Sequence, residues 1–238
     1  MKLVKLLANL GYGSRKEVQA MIRSVMVRDD SGKLLTDKDD VAYESVRFRG
    51  EPLDPLGPLV LALNKPDGFT CSTEDPGDTI YDLLPERFAY RKPGINPVGR
   101  LDKDTTGLLL LTDNGQLLHK IIHPKNGCLK VYHTILDRPL EGHEAELFAS
   151  GTLLLQGDHK PLLPAPLEVL GEKEALVTLH EGRYHQVRRM FAAAGNHVVS
   201  LKRISIGGFR LPDDLTEGEW RILTEEEVAS VFGSSGEE

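Results

Sequence analysis

Arg100 and Asp102, a cation two residues ahead of a carboxylate, lie in the stretch Gly99-Arg100-Leu101-Asp102-Lys103-Asp104-Thr105-Thr106-Gly107, which feeds the apolar run Leu108 to Leu111. A carboxylate so placed can act as nucleophile or base. Loops that lead into buried strands are where such groups concentrate. The same residue types also suit a turn, because an Asp among Gly and Thr bonds its own backbone. On the residues alone both readings stand. Asp104 alternates with Asp102, but two carboxylates without further ligands make no metal site, and its expected task is to serve the turn.

Two other stretches could carry chemistry. Tyr132, in Lys130-Val131-Tyr132, falls in the β-prone segment Lys130 to Leu136, where a tyrosine can equally be core. Its phenol offers an aromatic face for stacking and an oxygen for proton transfer. Downstream, Glu181-Gly182-Arg183-Tyr184-His185-Gln186-Val187-Arg188-Arg189-Met190-Phe191 concentrates cations and an imidazole at the start of a helical pattern. The two cysteines, Cys71 and Cys128, are far apart and outside any CxxC or Cys/His cluster. Neither a disulfide framework nor a zinc site is expected.

These three segments, in this order and spacing, resemble the signature motifs of the pseudouridine synthases of the RsuA/RluA superfamily. Three separated motifs in register are far more specific than one short pattern. The resemblance implies an α+β pseudouridine synthase fold with a mostly antiparallel sheet crossed by a central cleft. It implies isomerisation of uridine in RNA without a cofactor or metal. Asp102 matches the essential catalytic residue, with Arg188 as its ion-pair partner and Tyr132 as the residue that stacks on the uracil and takes the C5 proton. Leu201 matches an apolar position under the base, and Arg100 the side chain that fills the gap left when the nucleotide leaves its stack. Lys130, Arg183, His185 and Gln186 complete the expected substrate side, although His185 and Gln186 could bond either the loop or the RNA. Asn64-Lys65-Pro66 matches the family's first motif, with a structural role.

Finer details, RYHQVRRMFAAAGNHV, the CSTEDP segment and LTEEEVASV, resemble the branch that acts on small-subunit ribosomal RNA. The implied partner is ribosomal RNA or a partially assembled small subunit, met in the cytoplasm by a monomeric enzyme. A large-subunit enzyme and a non-catalytic RNA-binding assembly factor are the alternatives. The second would have no need of Asp102, Tyr132 and Arg188 together.

The elements that must hold these residues can be read from periodicity. With 238 residues, 40% hydrophobic and 27% charged, the chain can bury a large core and a small one. No signal-peptide pattern or long apolar span is present, so no membrane partner is expected. Leu3, Leu6, Leu7 and Leu10 repeat at helical spacing until Gly11 and Gly13, and Ser14 with Glu17 has capping-box spacing for a second helix. Strands are expected near Val25 to Val27 and Val41 to Phe48. This first module, 1–55, resembles the small RNA-binding domain of ribosomal small-subunit protein four. A Pro- and Gly-rich linker, Gly50 to Pro58, would separate it from a catalytic domain over 59–238. There, strands are expected at Val60 to Leu63, Leu108 to Thr112, Lys130 to Leu136, Thr152 to Leu155, Ala175 to His180 and His197 to Leu201. Helices are expected at Gln116 to Ile122, His143 to Ser150 and His185 to Ala194, the last closed by Gly195.

Charge sharpens the RNA reading. The net charge of −7 opposes it at first sight, since phosphate contacts need Lys and Arg. Yet residues 1–28 carry Lys2, Lys5, Arg15, Lys16, Arg23 and Arg28 against Glu17 alone, and Arg183 to Arg210 holds six cations and no acid. Nine acids between Asp213 and Glu238 set the overall sign. Lys2, Lys5, Arg15, Lys16 and Arg23 are therefore candidate RNA contacts.

Overall fold

The computed structural model describes residues 2–72 and 76–233; Thr73, Glu74 and Asp75 of the CSTEDP segment lie outside them. The chain forms two compact units, one of Met1–Leu59 with Tyr81–Asn96 and Thr112–Asn114, the other of Val60–Ile80, Pro97–Leu111 and Gly115–Glu238.

In the first unit, helices α1 (Leu3–Asn9) and α2 (Arg15–Arg23) precede an antiparallel sheet of β1 (Val27–Asp29), β2 (Val46–Phe48) and β3 (Glu51–Pro52), and α3 (Glu86–Ala89) is contributed from later in the chain. The periodic Leu3, Leu6, Leu7 and Leu10 are all buried, in one core with Val18, Ile22, Val27 and Val46. Ser14 and Glu17 form the expected capping box. Gly11 has φ +88°, and a Cβ there would fall 1.9 Å from the Arg87 carbonyl oxygen, so only glycine fits.

The Pro-rich stretch is not the linker expected from composition. Glu51–Pro52 pairs with β2, Leu53 is buried, and the Asp54 carboxylate accepts from Arg87 Nη2 at 2.9 Å. Arg91, itself buried in an ion pair with Asp113 at 2.9 Å, donates to the Pro55 carbonyl. The partners of Asp54 and Pro55 lie more than thirty residues away, and no local signal announces them. The compact unit is accordingly discontinuous, where a contiguous 1–55 module was the expectation.

The second unit is a mixed α/β structure on a mainly antiparallel sheet. Its strands are β4 (Val60–Lys65), β5 (Asn96–Pro97), β6 (Thr106–Thr112), β7 (Lys130–Leu136), β8 (Leu167–Gly171), β9 (Glu174–Leu179), β10 (Val198–Ile206), β11 (Phe209–Arg210) and β12 (Trp220–Ile222). The helices are α4 (Gly115–Ile122), α5 (Glu144–Ala149), α6 (Gln186–Ala193) and α7 (Glu225–Ser230). The main order is β12-β4-β6-β10-β7-β9-β8. One register positions the site: β10 runs parallel to β6, with Arg203 opposite Gly107, and antiparallel to β7, with Arg203 opposite Tyr132. No helix among the described residues is long and apolar enough to cross a membrane.

Most expected elements form within one or two residues of their expected limits. Thr152 to Leu155 does not form a strand. It finds no partner strand among the described residues, and Leu155 joins the core beside Phe148 and Phe191 as loop. The expected Val41 to Phe48 strand shortens to β2, because Tyr43–Ser45 turns as a 3-10 helix. Strands β3, β5, β8, β11 and β12 and helices α3 and α7 were not expected, and β10 runs five residues past its expected end at Leu201.

Candidate active site

The loop before β6 is built so that one carboxylate, Asp102, has no arginine partner among the described residues and faces His185 instead. Thr105 N donates to the Asp102 carbonyl at 3.1 Å, closing the turn. Beneath it lies Lys65, wholly buried at the end of β4. Its Nζ donates to the carbonyls of Pro66, Lys103 and Thr105 at 3.1, 3.0 and 2.9 Å. A buried ammonium is tolerable only when such acceptors replace water. Burial still pushes its pKa below that of an ordinary lysine, against the opposing pull of nearby Cys71, Asp67, Asp104 and Asp102. The Asn64-Lys65-Pro66 segment thus does structural work, as expected. Gly107, at φ +96°, sits so close to β10 that a Cβ would lie 2.3 Å from the Arg203 carbonyl oxygen. The Leu101 N–H points at the buried Cys71 Sγ at 3.5 Å, and burial raises the pKa of that thiol.

Above this loop is a cleft of about 460 Å³, within the roughly 300–1,000 Å³ typical of small-molecule sites. Asp102, Tyr132 and Leu201 all line it, as do Arg100, Lys130 and Gln186. The Asp102 side chain is 30% exposed and its Oδ1 stands 3.4 Å from His185 Nε2. Leu201 is buried and presents an apolar surface. Arg100 is exposed at the entrance to the loop.

Two expectations are corrected. Arg188 does not engage Asp102: its Nη2 pairs with the Asp104 carboxylate at 2.9 Å and donates to the Asp104 carbonyl at 3.1 Å, while Nη1 donates to Val198 O at 3.0 Å. Asp104, expected only to shape the turn, is the acceptor. Arg183 lines the cleft but is not a free cation for substrate. It pairs with Asp158 at 2.8 Å and Glu181 at 2.9 Å and donates to the carbonyls of Lys160 and Pro161. Arg189 shares Asp158 at 2.7 Å, and these two guanidinium groups hold the Asp158 carboxyl below the usual range. Three of the six cations in the segment from Arg183 to Arg210, namely Arg183, Arg188 and Arg189, are thus paired with carboxylates. Gln186 is buried, its Oε1 accepting from Arg183 N at 2.9 Å, so it bonds the loop.

Arg203 is the residue that sequence reasoning missed. It is 2% exposed and lines the cleft. Its Nε donates to Leu108 O at 2.7 Å, and Nη1 donates to the Tyr132 hydroxyl at 3.4 Å. Nη2 is buried without a hydrogen-bond partner among the described residues. Burial and the Arg203 charge together lower the pKa of Lys130. The arrangement can therefore hold a planar, partly anionic ring among Tyr132, Leu201, Lys130 and Arg203, with one carboxylate at its edge.

Comparison with known proteins agrees with this chemistry. Residues 59–193 match the family model described as RNA pseudouridylate synthase. The chain is 47% identical over 208 residues to the ribosomal small subunit pseudouridine synthase A of Escherichia coli K12, covering 87% of this chain and 86% of that protein. It is 42% identical to the protein of the same name from Vibrio cholerae, covering 98% of this chain and all of that one. A crystal structure of a pseudouridylate synthase superposes with a TM-score of 0.69 at 38% identity, covering 97% of this chain and 99% of that one.

Proposed function

The chain belongs to the RNA pseudouridylate synthase family, and from that premise we propose that it converts a uridine of 16S ribosomal RNA to pseudouridine with Asp102 as the catalytic carboxylate. The observation that carries the reading is that a partly exposed carboxylate, without an arginine partner among the described residues, opens into the same cleft as Tyr132 and Leu201. Relatives from Escherichia coli and Vibrio cholerae named for the small ribosomal subunit match nearly the whole chain, which supports the choice of RNA and a cytoplasmic setting.

The reaction is an isomerisation. The N1–C1′ bond breaks, the uracil turns while held, C5 bonds to C1′, and the C5 proton leaves as N1 gains one. No electron acceptor enters. Asp102 can attack C1′ or the ring, or remove a ribose proton, and each route needs it ionised. Tyr132 offers the ring a stacking face and its oxygen to the C5 proton. Leu201 packs under the base, and Arg100 enters the gap left in the RNA stack. The helical pair and small sheet of the first unit form an RNA-binding module like that of ribosomal small-subunit protein four, with Lys2, Lys5, Arg15, Lys16 and Arg23 exposed for phosphate contact.

The test is incubation with small-subunit ribosomal RNA and with partially assembled subunits, followed by mapping of pseudouridine. Wild type should modify a defined position. Asp102→Asn, which keeps shape but removes charge, should give no product while still binding RNA. A rate within tenfold of wild type, a loss of only about 1.4 kcal/mol, would remove Asp102 from the chemistry.

A further inference from the structure

The loop leading into α6 holds a feature that the proposed chemistry leaves unused. Tyr184 is the most exposed large apolar side chain among the described residues, at 74%, and it lies on the rim of the cleft. Its ring stacks on His185, centroids 3.9 Å apart and planes 15° from parallel. His185 in turn brings Nε2 to 3.4 Å from Asp102 Oδ1. The backbone beneath is tied down. Arg189 Nη1 donates to the Tyr184 carbonyl at 3.2 Å, and Arg189 is anchored on Asp158. His185 itself holds a left-handed φ of +48°, a conformation that persists in a residue with a Cβ only where its surroundings fix it.

From this geometry we infer that Tyr184 is a stacking platform for a base of the substrate RNA next to the uridine that enters the cleft. The inference rests on reading the cleft as the site of uridine isomerisation. A nucleotide drawn into that cleft must leave its stack, and its chain neighbour loses a stacking partner at the cleft's rim. An aromatic ring fixed there, with imidazole behind it, replaces that partner. Because every base has a π-face, the contact supplies affinity without demanding a sequence. The ordered series is RNA base, Tyr184, His185, Asp102, so a base docked on the platform also steadies the imidazole beside the carboxylate.

Binding of small-subunit ribosomal RNA is measured by filter retention for wild type, Tyr184→Ala and Tyr184→Phe. In parallel, oligonucleotides spanning the mapped uridine carry 2-aminopurine immediately before or after it. Tyr184→Ala should raise Kd by about 10–100-fold, the range expected for one lost base stack. Tyr184→Phe, which keeps the ring, should stay near wild type. Wild type and the Phe variant should quench 2-aminopurine at one flank, and the Ala variant should not. Unchanged Kd and quenching in Tyr184→Ala, or equal losses in Ala and Phe, would overturn the platform. The filter assay needs no turnover, so it reads whether Tyr184 stacks on RNA even if no ribosomal uridine is converted; absent conversion counts against the isomerase reading, whereas unchanged Kd in Tyr184→Ala counts against the platform.

Discussion

Arg203 shows how far a single side chain can be hidden from sequence reasoning. Its significance comes from register: β10 lies between β6 and β7 and sets Arg203 opposite both Gly107 and Tyr132, partners 96 and 71 positions away in the sequence. No local pattern distinguishes it from Lys202, its neighbour on the other face of the strand. Arg188 illustrates a subtler limit. Its place on the first turn of α6 was legible, and so was a carboxylate partner in the Asp102 loop, but Asp102 and Asp104 differ by two residues and only the folded turn decides between them. Asp102, Tyr132 and Leu201, by contrast, were identified through motif resemblance, and all three line one cleft. Arg203 should therefore matter to turnover. Arg203→Met removes the donor to the Tyr132 hydroxyl and one cleft cation, and turnover should fall more than tenfold, over about 1.4 kcal/mol in the barrier. Arg203→Lys, which keeps a charge but not the two-armed reach to Leu108 O and Tyr132, should recover only part of it. Equal rates for all three proteins in a single-turnover assay would show that Tyr132 needs no support from β10.

At the scale of elements, what was legible followed from periodicity, and what was missed followed from pairing. Helical spacing found α1 and α2, and the Ser14 and Glu17 signal marked the start of the second. An equivalent signal, Thr224 with Glu227, caps α7 and could have found that helix. β8 gave no comparable cue, since Val169 and Leu170 are exposed and the strand alternates poorly. Thr152 to Leu155 has strand-like composition, but the bond from Leu162 N to Leu153 O does not extend into a ladder, so its Leu155 serves the core from a loop. The element that matters most to the site is the β4 end, where Lys65 holds three carbonyls around the Asp102 turn. Lys65→Met keeps the volume and removes every donor. Leaving buried acceptors unsatisfied costs about 1–3 kcal/mol each, partly offset by no longer burying a charge. A net loss of about 2–4 kcal/mol, or a Tm lower by roughly 5–15 °C for a chain of this size, is expected by calorimetry, together with slower pseudouridine formation as the turn relaxes. A variant with unchanged Tm and rate would mean that the turn holds itself.

For the whole molecule, the decisive quantity is where unneutralised positive charge remains. The segment from Arg183 to Arg210 reads as a basic surface in sequence, yet Arg183, Arg188 and Arg189 are paired with Asp158, Glu181 and Asp104, and Arg203 is buried. The cations of the first unit, with the exposed Arg210, are then among the groups left to attract a polyanion. Lys2, Lys5, Arg15, Lys16 and Arg23 are exposed, and none forms an ion pair with a carboxylate among the described residues. Removing residues 1–55 outright would be a poor test, because it would strip Arg87 of Asp54 and Arg91 of the Pro55 carbonyl. Substituting Arg15, Lys16 and Arg23 together by Gln leaves the buried Leu, Val and Ile side chains of that core untouched. If these side chains meet phosphates, each lost contact should make the log Kd against log salt plot shallower by roughly 0.7–0.9. Affinity at low salt should fall, and the two proteins should converge as salt rises and screening removes the difference. Filter retention over a range of potassium chloride concentrations measures both effects. Parallel lines for wild type and the triple variant would mean that Arg15, Lys16 and Arg23 are merely solvated and meet no phosphate.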